Sequence, residues 1–209
     1  HFAVDRVALV GLSQGATVAL AQAAAHPDRV ERVVALAPGG IAPYPPLMHQ
    51  LLWLVARSRL LHTTVPTRMV HNPDRVALMV RRALLAGPVA DFDEMVQEMF
   101  QEIRAHGAGP SEWQNTAINA WGTNQGVRFR LEEIACPVLF LQGDKDNIVR
   151  PLQTVEAYRR VPRARLRMLR DQGHLANRQS PGLVNGLVRE FLTEAAPAAG
   201  PGTHQEGSG

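Results

Sequence analysis

A chain of 209 residues, 45% hydrophobic and 20% charged, has ordinary globular composition and room for one domain with a real core and an inserted subdomain. The net charge is +3 and the basic side is almost wholly arginine, with Lys145 the sole lysine and no basic run, so the arginines read as solvated surface and nucleic-acid binding carries little weight. The single cysteine, Cys136, excludes an internal disulfide and a cysteine-rich metal site, and the apolar stretch Leu51 to Ala56 is far too short to span a bilayer.

In chain order, Val7 to Val10 reads as a buried strand. Gly11-Leu12-Ser13-Gln14-Gly15 follows, and then an alanine-rich run that reads as helix as far as Ala25. A serine on a sharp strand-to-helix turn is the arrangement called a nucleophile elbow. Such a turn crowds the backbone, so the positions two before and two after the serine are expected to need the absence of a Cβ. The serine itself is expected to be strained, with the N–H groups and positive dipole end of the helix directed at the same spot. His26-Pro27-Asp28-Arg29 is a stop and turn, and Val30 to Ala37 supplies a second strand closed by Pro38-Gly39-Gly40. Strand, helix and strand in about thirty residues predict a βαβ unit with a parallel sheet.

Pro43, Pro45 and Pro46 mark a change of character. Helical spacing then recurs over Leu47 to Leu61, Pro73 to Ala86, Phe92 to His106 and Ser111 to Trp121, with no strand pattern between them. Asn72 ahead of Pro73, Asp91 and Ser111 are the expected N-caps. The sheet pattern returns at Cys136-Pro137, where an inert buried thiol is expected, and Val138 to Leu141 reads as a third buried strand. A loop runs from Gly143 to Val149, and Pro151 opens a helix to about Val161. Ala164 to Leu169 reads as a fourth, more exposed strand with arginines at alternate positions. Asp171-Gln172-Gly173-His174 leaves its end, and Pro181 opens a last helix to about Glu194. Ala195 to Gly209 is rich in Ala, Pro and Gly with nothing to bury, which predicts disorder.

Loops leaving the C-terminal ends of parallel strands share one edge of the sheet. Ser13, the Gly143 to Val149 loop and His174 occupy three such loops, in the order serine, carboxylate, histidine. A serine hydroxyl becomes a useful nucleophile only when a base takes its proton, and an imidazole suits that task. A buried carboxylate then fixes the imidazole tautomer and stabilises the imidazolium. Asp144 and Asp146 compete for the acid role. None of the other seven histidines, His1, His26, His49, His62, His71, His106 and His204, has a metal-ligand spacing such as H-E-x-x-H.

Taken together, Gly11-Leu-Ser13-Gln-Gly15, His26-Pro-Asp-Arg29, Pro137-Val-Leu-Phe-Leu-Gln-Gly143-Asp-Lys-Asp146-Asn-Ile-Val149 and Gly173-His174-Leu resemble the α/β-hydrolase fold family. The resemblance covers residues 1–40 and 130–194, and it implies an α/β architecture, a mostly parallel sheet with flanking helices and a helical cap insertion. In such families the acid stands three residues after the glycine with an aliphatic residue following, which selects Asp146. The resemblance further implies an oxyanion donor at the backbone N–H of Gln14, and a second donor from a His-Gly-rich loop of an earlier strand. The family places that loop, four strands and their helices before the elbow, whereas here the elbow strand begins within a few residues of His1. The chain therefore reads as a C-terminal fragment, whose elbow strand, normally central, would lie at an apolar sheet edge. Serine at the elbow argues against the similar dehalogenases and epoxide hydrolases with an aspartate nucleophile.

The expected organisation is a core at 1–40, a helical cap at 41–129, core again at 130–194 and a disordered tail at 195–209. The expected function is cofactor-independent, metal-free serine hydrolysis of a carboxylic ester or related acyl bond by Ser13, Asp146 and His174, in the cytoplasm. The expected partner is a small apolar acyl substrate, with no nucleic acid and no membrane span. Met48, Trp53, Met95, Met99 and Trp121 are the candidate lining of its pocket, although helical spacing alone also fits an ordinary core. The alternatives are a lactone or C–C bond hydrolase on the same triad, or a non-catalytic binding module on the same fold.

Overall fold

The computed structural model describes residues 4–41, 72–106 and 130–194, together with 50, 51, 53, 54, 57, 58, 118, 119, 122 and 123. Four strands, β1 (Val7–Leu12), β2 (Val30–Leu36), β5 (Val138–Gly143) and β6 (Ala164–Leu169), form one sheet in the order β1-β2-β5-β6. Every pairing is parallel, with Gly11 beside Ala35, Leu36 beside Leu141 and Gly143 beside Leu169. The two inner strands are apolar and almost wholly buried, as a parallel sheet covered on both faces requires. β1 lies at one edge of the described sheet with Val7 and Val10 exposed, and the more exposed β6 lies at the other.

Helices cover the two faces. On one, α1 (Gln14–Ala25) and α4 (Pro151–Arg160) bury Leu20, Tyr158 and Val161 against Val33, Ala35, Val138 and Phe140. On the other, the short α5 (Ala176–Gln179) and α6 (Pro181–Thr193) bury Ala176, Val184 and Phe191 against Val34, Leu36, Leu139 and Leu141. Burial of about 1.5–3 kcal/mol per large side chain makes these two clusters the main source of stability.

One arginine contradicts the reading of all of them as solvated surface. Arg32 is buried, its guanidinium donating to the carbonyls of Phe191 and Glu194 at the C-terminal end of α6 and lying over the Phe191 ring. A helix end offers carbonyls with no partner inside the helix, and a guanidinium satisfies several at once. Arg165 pairs with the Glu194 carboxylate at the same place and, by its hydrogen bond, holds that carboxyl below its ordinary value of 4.5. A carboxyl shifted down contributes stability above its unfolded pKa and loses it as the pH falls through the folded one. Glu194→Gln should therefore cost up to about 1 kcal/mol at neutral pH and nothing once the pH is well below 4.5, measured by denaturant titration of both proteins.

Between β2 and β5 the described chain is mainly helical. α2 (Pro73–Met79) starts as expected, with Asn72 Oδ1 accepting from the N–H groups of Asp74 and Arg75 and Pro73 in the first turn. It does not continue as α-helix to Ala86: Val80–Leu84 widens into a π turn that ends at Leu85 in extended backbone, and Ala86 lies in the bend that follows. α3 (Phe92–His106) has the expected bounds. Asp91 accepts its first main-chain bond, from Met95 N–H, while its carboxylate is taken by Arg178. Gln50, Leu51, Trp53, Leu54 and Arg57 are helical, in line with the spacing there. The expected helix over Ser111 to Trp121, and the absence of any strand, are overturned at β3 (Ile118–Asn119), which pairs antiparallel with β4 (Gly122–Thr123). Ile118 and Thr123 are β-branched and Gly122 is a poor helix former, which tips the local balance. Met48, Ser111, Trp121 and the tail 195–209 lie outside the described residues.

Candidate active site

The C-terminal ends of β1, β5 and β6 emerge on one edge of the sheet and carry Ser13, Asp146 and His174. Ser13 sits at φ 54°, ψ −120°, a strained backbone for a residue with a Cβ. Three main-chain bonds hold it there. Its N–H donates to Leu36 O (2.8 Å), extending the β1–β2 ladder, and its carbonyl accepts from Gly39 N–H and Thr17 N–H (3.2 Å each). Thr17, buried on α1, donates its hydroxyl to Gly39 O (2.7 Å) and so ties the elbow to the loop leaving β2. A methyl on Gly39 would stand 3.6 Å from Ser13 Oγ, so that loop borders the serine hydroxyl. Gln14 heads α1.

The elbow glycines divide differently from expectation. A Cβ at Gly11 would meet Gly15 O at 2.4 Å and Ala16 N at 2.6 Å, which no side chain survives. A Cβ at Gly15 would meet nothing within 4 Å. The close approach is between the Gly11 Cα and the Gly15 backbone, so of the two elbow glycines the first is required sterically and the second is not.

His174 and Asp146 are 5% and 4% exposed, and His174 Nδ1 lies 2.9 Å from Asp146 Oδ2. The other carboxylate oxygen, Oδ1, accepts from the N–H groups of Ile148 (2.8 Å) and Val149 (2.9 Å). With both oxygens of Asp146 accepting, Nδ1 is the donor, which leaves Nε2 as the ring's basic nitrogen. Asp144, the competing carboxylate, is exposed, and its N–H donates to Leu169 O. Among the described residues Ser13 Oγ and His174 share no hydrogen bond.

The acid and histidine loops touch through their backbones. A Cβ on Gly143 would stand 2.4 Å from Gln172 O and 2.5 Å from Gly173 O, and Lys145 N–H donates to Gln172 O. Outside this contact Lys145 pairs with Asp171, lowering the Asp171 carboxyl and raising its own ammonium. Cys136 is buried away from this edge, at the start of β5, and burial pushes its thiol up, as an inert thiol requires.

Sequence reasoning missed the link from the histidine loop to the helical segment. Gln179 Oε1 accepts from both Gly173 N–H (2.7 Å) and Ala86 N–H (3.1 Å), and Leu175 N–H donates to Leu84 O (3.0 Å). A Cβ on Gly173 would meet Ala86 N at 2.8 Å, so the glycine before His174 is where the two chains cross. Arg178 adds ion pairs to Asp91 (2.6 Å) and Glu98 (2.9 Å). Its side chain is 39% exposed, so Arg178→Ala should lower global stability by less than about 1 kcal/mol. Amide exchange at Ala86 and Leu175 should nevertheless speed up several-fold, an effect that high salt reduces in the parent protein.

Met95 and Met99 belong to the apolar cluster of Val76, Val80, Leu85 and Val96, against which Leu175 packs. A cavity of about 770 Å³ opens beside this cluster, lined by Arg81, Leu85, Gly87, Val89, Asp91 and Phe92 among others, but not by Met95, Met99 or Trp53. Trp53 lies under the Arg57 guanidinium, 5.5 Å from ring centre to carbon. Among the described residues no group of three His, Cys, Asp or Glu could hold a metal, and no helix is long and apolar enough to cross a membrane.

A four-stranded parallel sheet with a strained serine turn and a buried acid–histidine pair on one edge defines a protein of the α/β class. The chain matches the family described as the alpha/beta hydrolase fold over residues 1–181 and belongs to it. It is 25% identical over 189 residues to the poly(3-hydroxyalkanoate) depolymerase of Ectopseudomonas oleovorans, covering 90% of this chain and 62% of that protein. It is also 25% identical over 195 residues to a 2-hydroxy-6-oxononadienedioate/2-hydroxy-6-oxononatrienedioate hydrolase of Pseudomonas putida (90% and 63%). The chain thus spans somewhat under two thirds of these relatives. Similar solved structures include the 2-hydroxy-6-oxo-6-phenylhexa-2,4-dienoate hydrolase from Rhodococcus sp. strain RHA1, with a TM-score of 0.67 at 19% identity, covering 93% of this chain and 66% of that one. The enol-lactonase from Burkholderia xenovorans LB400 superposes with a TM-score of 0.62 at 24% identity (91% and 67%). At these identities the structural likeness is one of fold.

Proposed function

We propose that the protein is a serine hydrolase that cleaves a carboxylic ester or related acyl bond without a cofactor. The observation that carries this reading is the buried His174–Asp146 pair on the sheet edge where the strained turn raises Ser13. In this mechanism His174 Nε2 takes the Ser13 proton as Oγ attacks the carbonyl carbon, forming a tetrahedral oxyanion. The backbone N–H of Gln14, at the head of α1, stabilises that oxyanion together with the dipole of the helix. Asp146 holds the imidazole and stabilises its charged form. The proton then passes from His174 to the leaving alcohol, and water repeats the cycle to free the acid. A separation of Ser13 and His174 wider than a hydrogen bond fits a free enzyme whose catalytic contacts tighten on substrate.

Residues 41–129 act as a cap over this edge, joined to the histidine loop by Gln179 and Arg178. The cap's cavity offers apolar Leu85, Val89 and Phe92 to a small acyl substrate, with Met95 and Met99 in the apolar cluster that Leu85 and Phe92 share. A lactone or C–C bond reaction on the same three residues is the second reading, favoured by the names of similar proteins, an enol-lactonase and two hydrolases of 2-hydroxy-6-oxo acids.

Intact mass after incubation with a fluorophosphonate tests the proposal. One adduct is expected, absent from Ser13→Ala and His174→Ala. An adduct that persists in Ser13→Ala, or a folded protein that takes none, would sink it.

A further inference from the structure

Behind Asp146 lies a polar side chain that the mechanism above leaves unused. Gln142 is 0% exposed on β5, directly after an apolar run, where a carboxamide is costly unless its donors and acceptor are all met. One end of the amide stands 3.1 Å from each of three acceptors: Gly143 O, Val149 O and Asp146 Oδ2. The other end stands 2.6 Å from the hydroxyl of Thr154, also 0% exposed, on α4. Three oxygens around one end identify it as the nitrogen, and Thr154 then donates to Oε1.

We infer that Gln142, oriented by Thr154, is a positioning residue for the acid–histidine pair; this rests on the hydrolase reading. The carboxylate of Asp146 turns easily about its last torsion. Two N–H groups on Oδ1 restrain one oxygen, and the Gln142 N–H restrains the other, the oxygen facing His174 Nδ1. By bonding Gly143 O and Val149 O, the same amide ties both ends of the acid loop. Among the described residues the Thr154 hydroxyl bonds Gln142 and none of the three proposed catalytic residues, so its polar influence on them passes through Gln142.

The test compares Gln142→Leu, Thr154→Val, Thr154→Ser and the Leu/Val double variant in the full chain, by fluorophosphonate labelling rate and by the NMR resonance of the His174 Nδ1 proton. Gln142→Leu should slow labelling at least about tenfold and shift or broaden the Nδ1 proton well below the melting temperature. Thr154→Val should slow it several-fold, Thr154→Ser should restore it, and the double variant should be no slower than Gln142→Leu alone, because the two act in series. Wild-type labelling and an unmoved Nδ1 proton in folded Gln142→Leu, or additive effects in the double variant, would overturn the inference. If Gln142→Leu does not fold, Thr154→Val with a wild-type rate and an unmoved Nδ1 proton does the same. Labelling that survives Ser13→Ala refutes the hydrolase reading instead, and the Nδ1 resonance, which needs no activity, still decides the positioning role.

Discussion

Asp146→Asn is expected to lower kcat on an activated ester by about 10⁴-fold with KM nearly unchanged. The size follows from which atoms surround the carboxylate. Ile148 and Val149 both direct N–H groups at Oδ1, so the amide oxygen of an asparagine is held there. Its NH₂ must then occupy the place of Oδ2, facing two donors, His174 Nδ1 and Gln142 Nε2. His174 escapes the clash by giving up its Nδ1 proton and carrying it on Nε2, where the ring can no longer act as base toward Ser13. Nitrogen-15 NMR of the imidazole should report the exchanged tautomer. An Asp146→Asn protein with at least a tenth of the parent kcat would show that Asp146 does not orient the base.

Gly143→Ala is expected to cost about 3–5 kcal/mol in denaturant titration, enough to unfold a marginal domain. Its Cβ would stand 2.4 Å and 2.5 Å from two carbonyl oxygens of the histidine loop, both backbone, so no side-chain rotation relieves the contact. Gly15→Ala is the matched control. It lies in the first turn of α1 with open space around its would-be Cβ, and there alanine should be neutral or stabilising by up to about 1 kcal/mol. A Gly143→Ala protein within about 1 kcal/mol of the parent would mean the two loops separate without penalty.

These two residues also show what a reader of the sequence can and cannot extract. The strands were legible because a parallel sheet buried on both faces demands unbroken apolar runs, and Val138 to Leu141 is one. The places of Ser13 and His174 after strands were legible, while the choice of Asp146 over Asp144 came from resemblance; the structure puts the first in contact with His174 and leaves the second exposed. Gly173 was read as a companion of the histidine, but its steric reason lies in Ala86, far away in sequence and invisible to any local pattern. Gln142 carries its own signal in the sequence, a carboxamide closing a buried apolar run. The π turn at Val80–Leu84 and the β3–β4 pair left no periodicity of their own, and helical spacing overran both. Arg32 was lost among the other arginines because only the end of α6 makes it a buried residue.

The crossing of the histidine loop and the helical segment also sets an order of events during synthesis. Gln179 and Ala86 are 93 positions apart, and the elbow serine precedes the histidine by most of the described chain. A ribosome adding about 5–20 residues per second exposes the elbow roughly ten to thirty seconds before His174 emerges. Throughout that interval the backbone groups of Leu84 and Ala86 have yet to meet the loop that will bind them. Local helices and the β1–β2 pair can form at once, but the sheet edge that carries Ser13 and His174 closes only through distant contacts, which are slow to find. The nascent chain therefore passes through a stage with a finished serine turn and no His174 beside it, and the proposed reactivity arrives only as the last helix closes over the sheet.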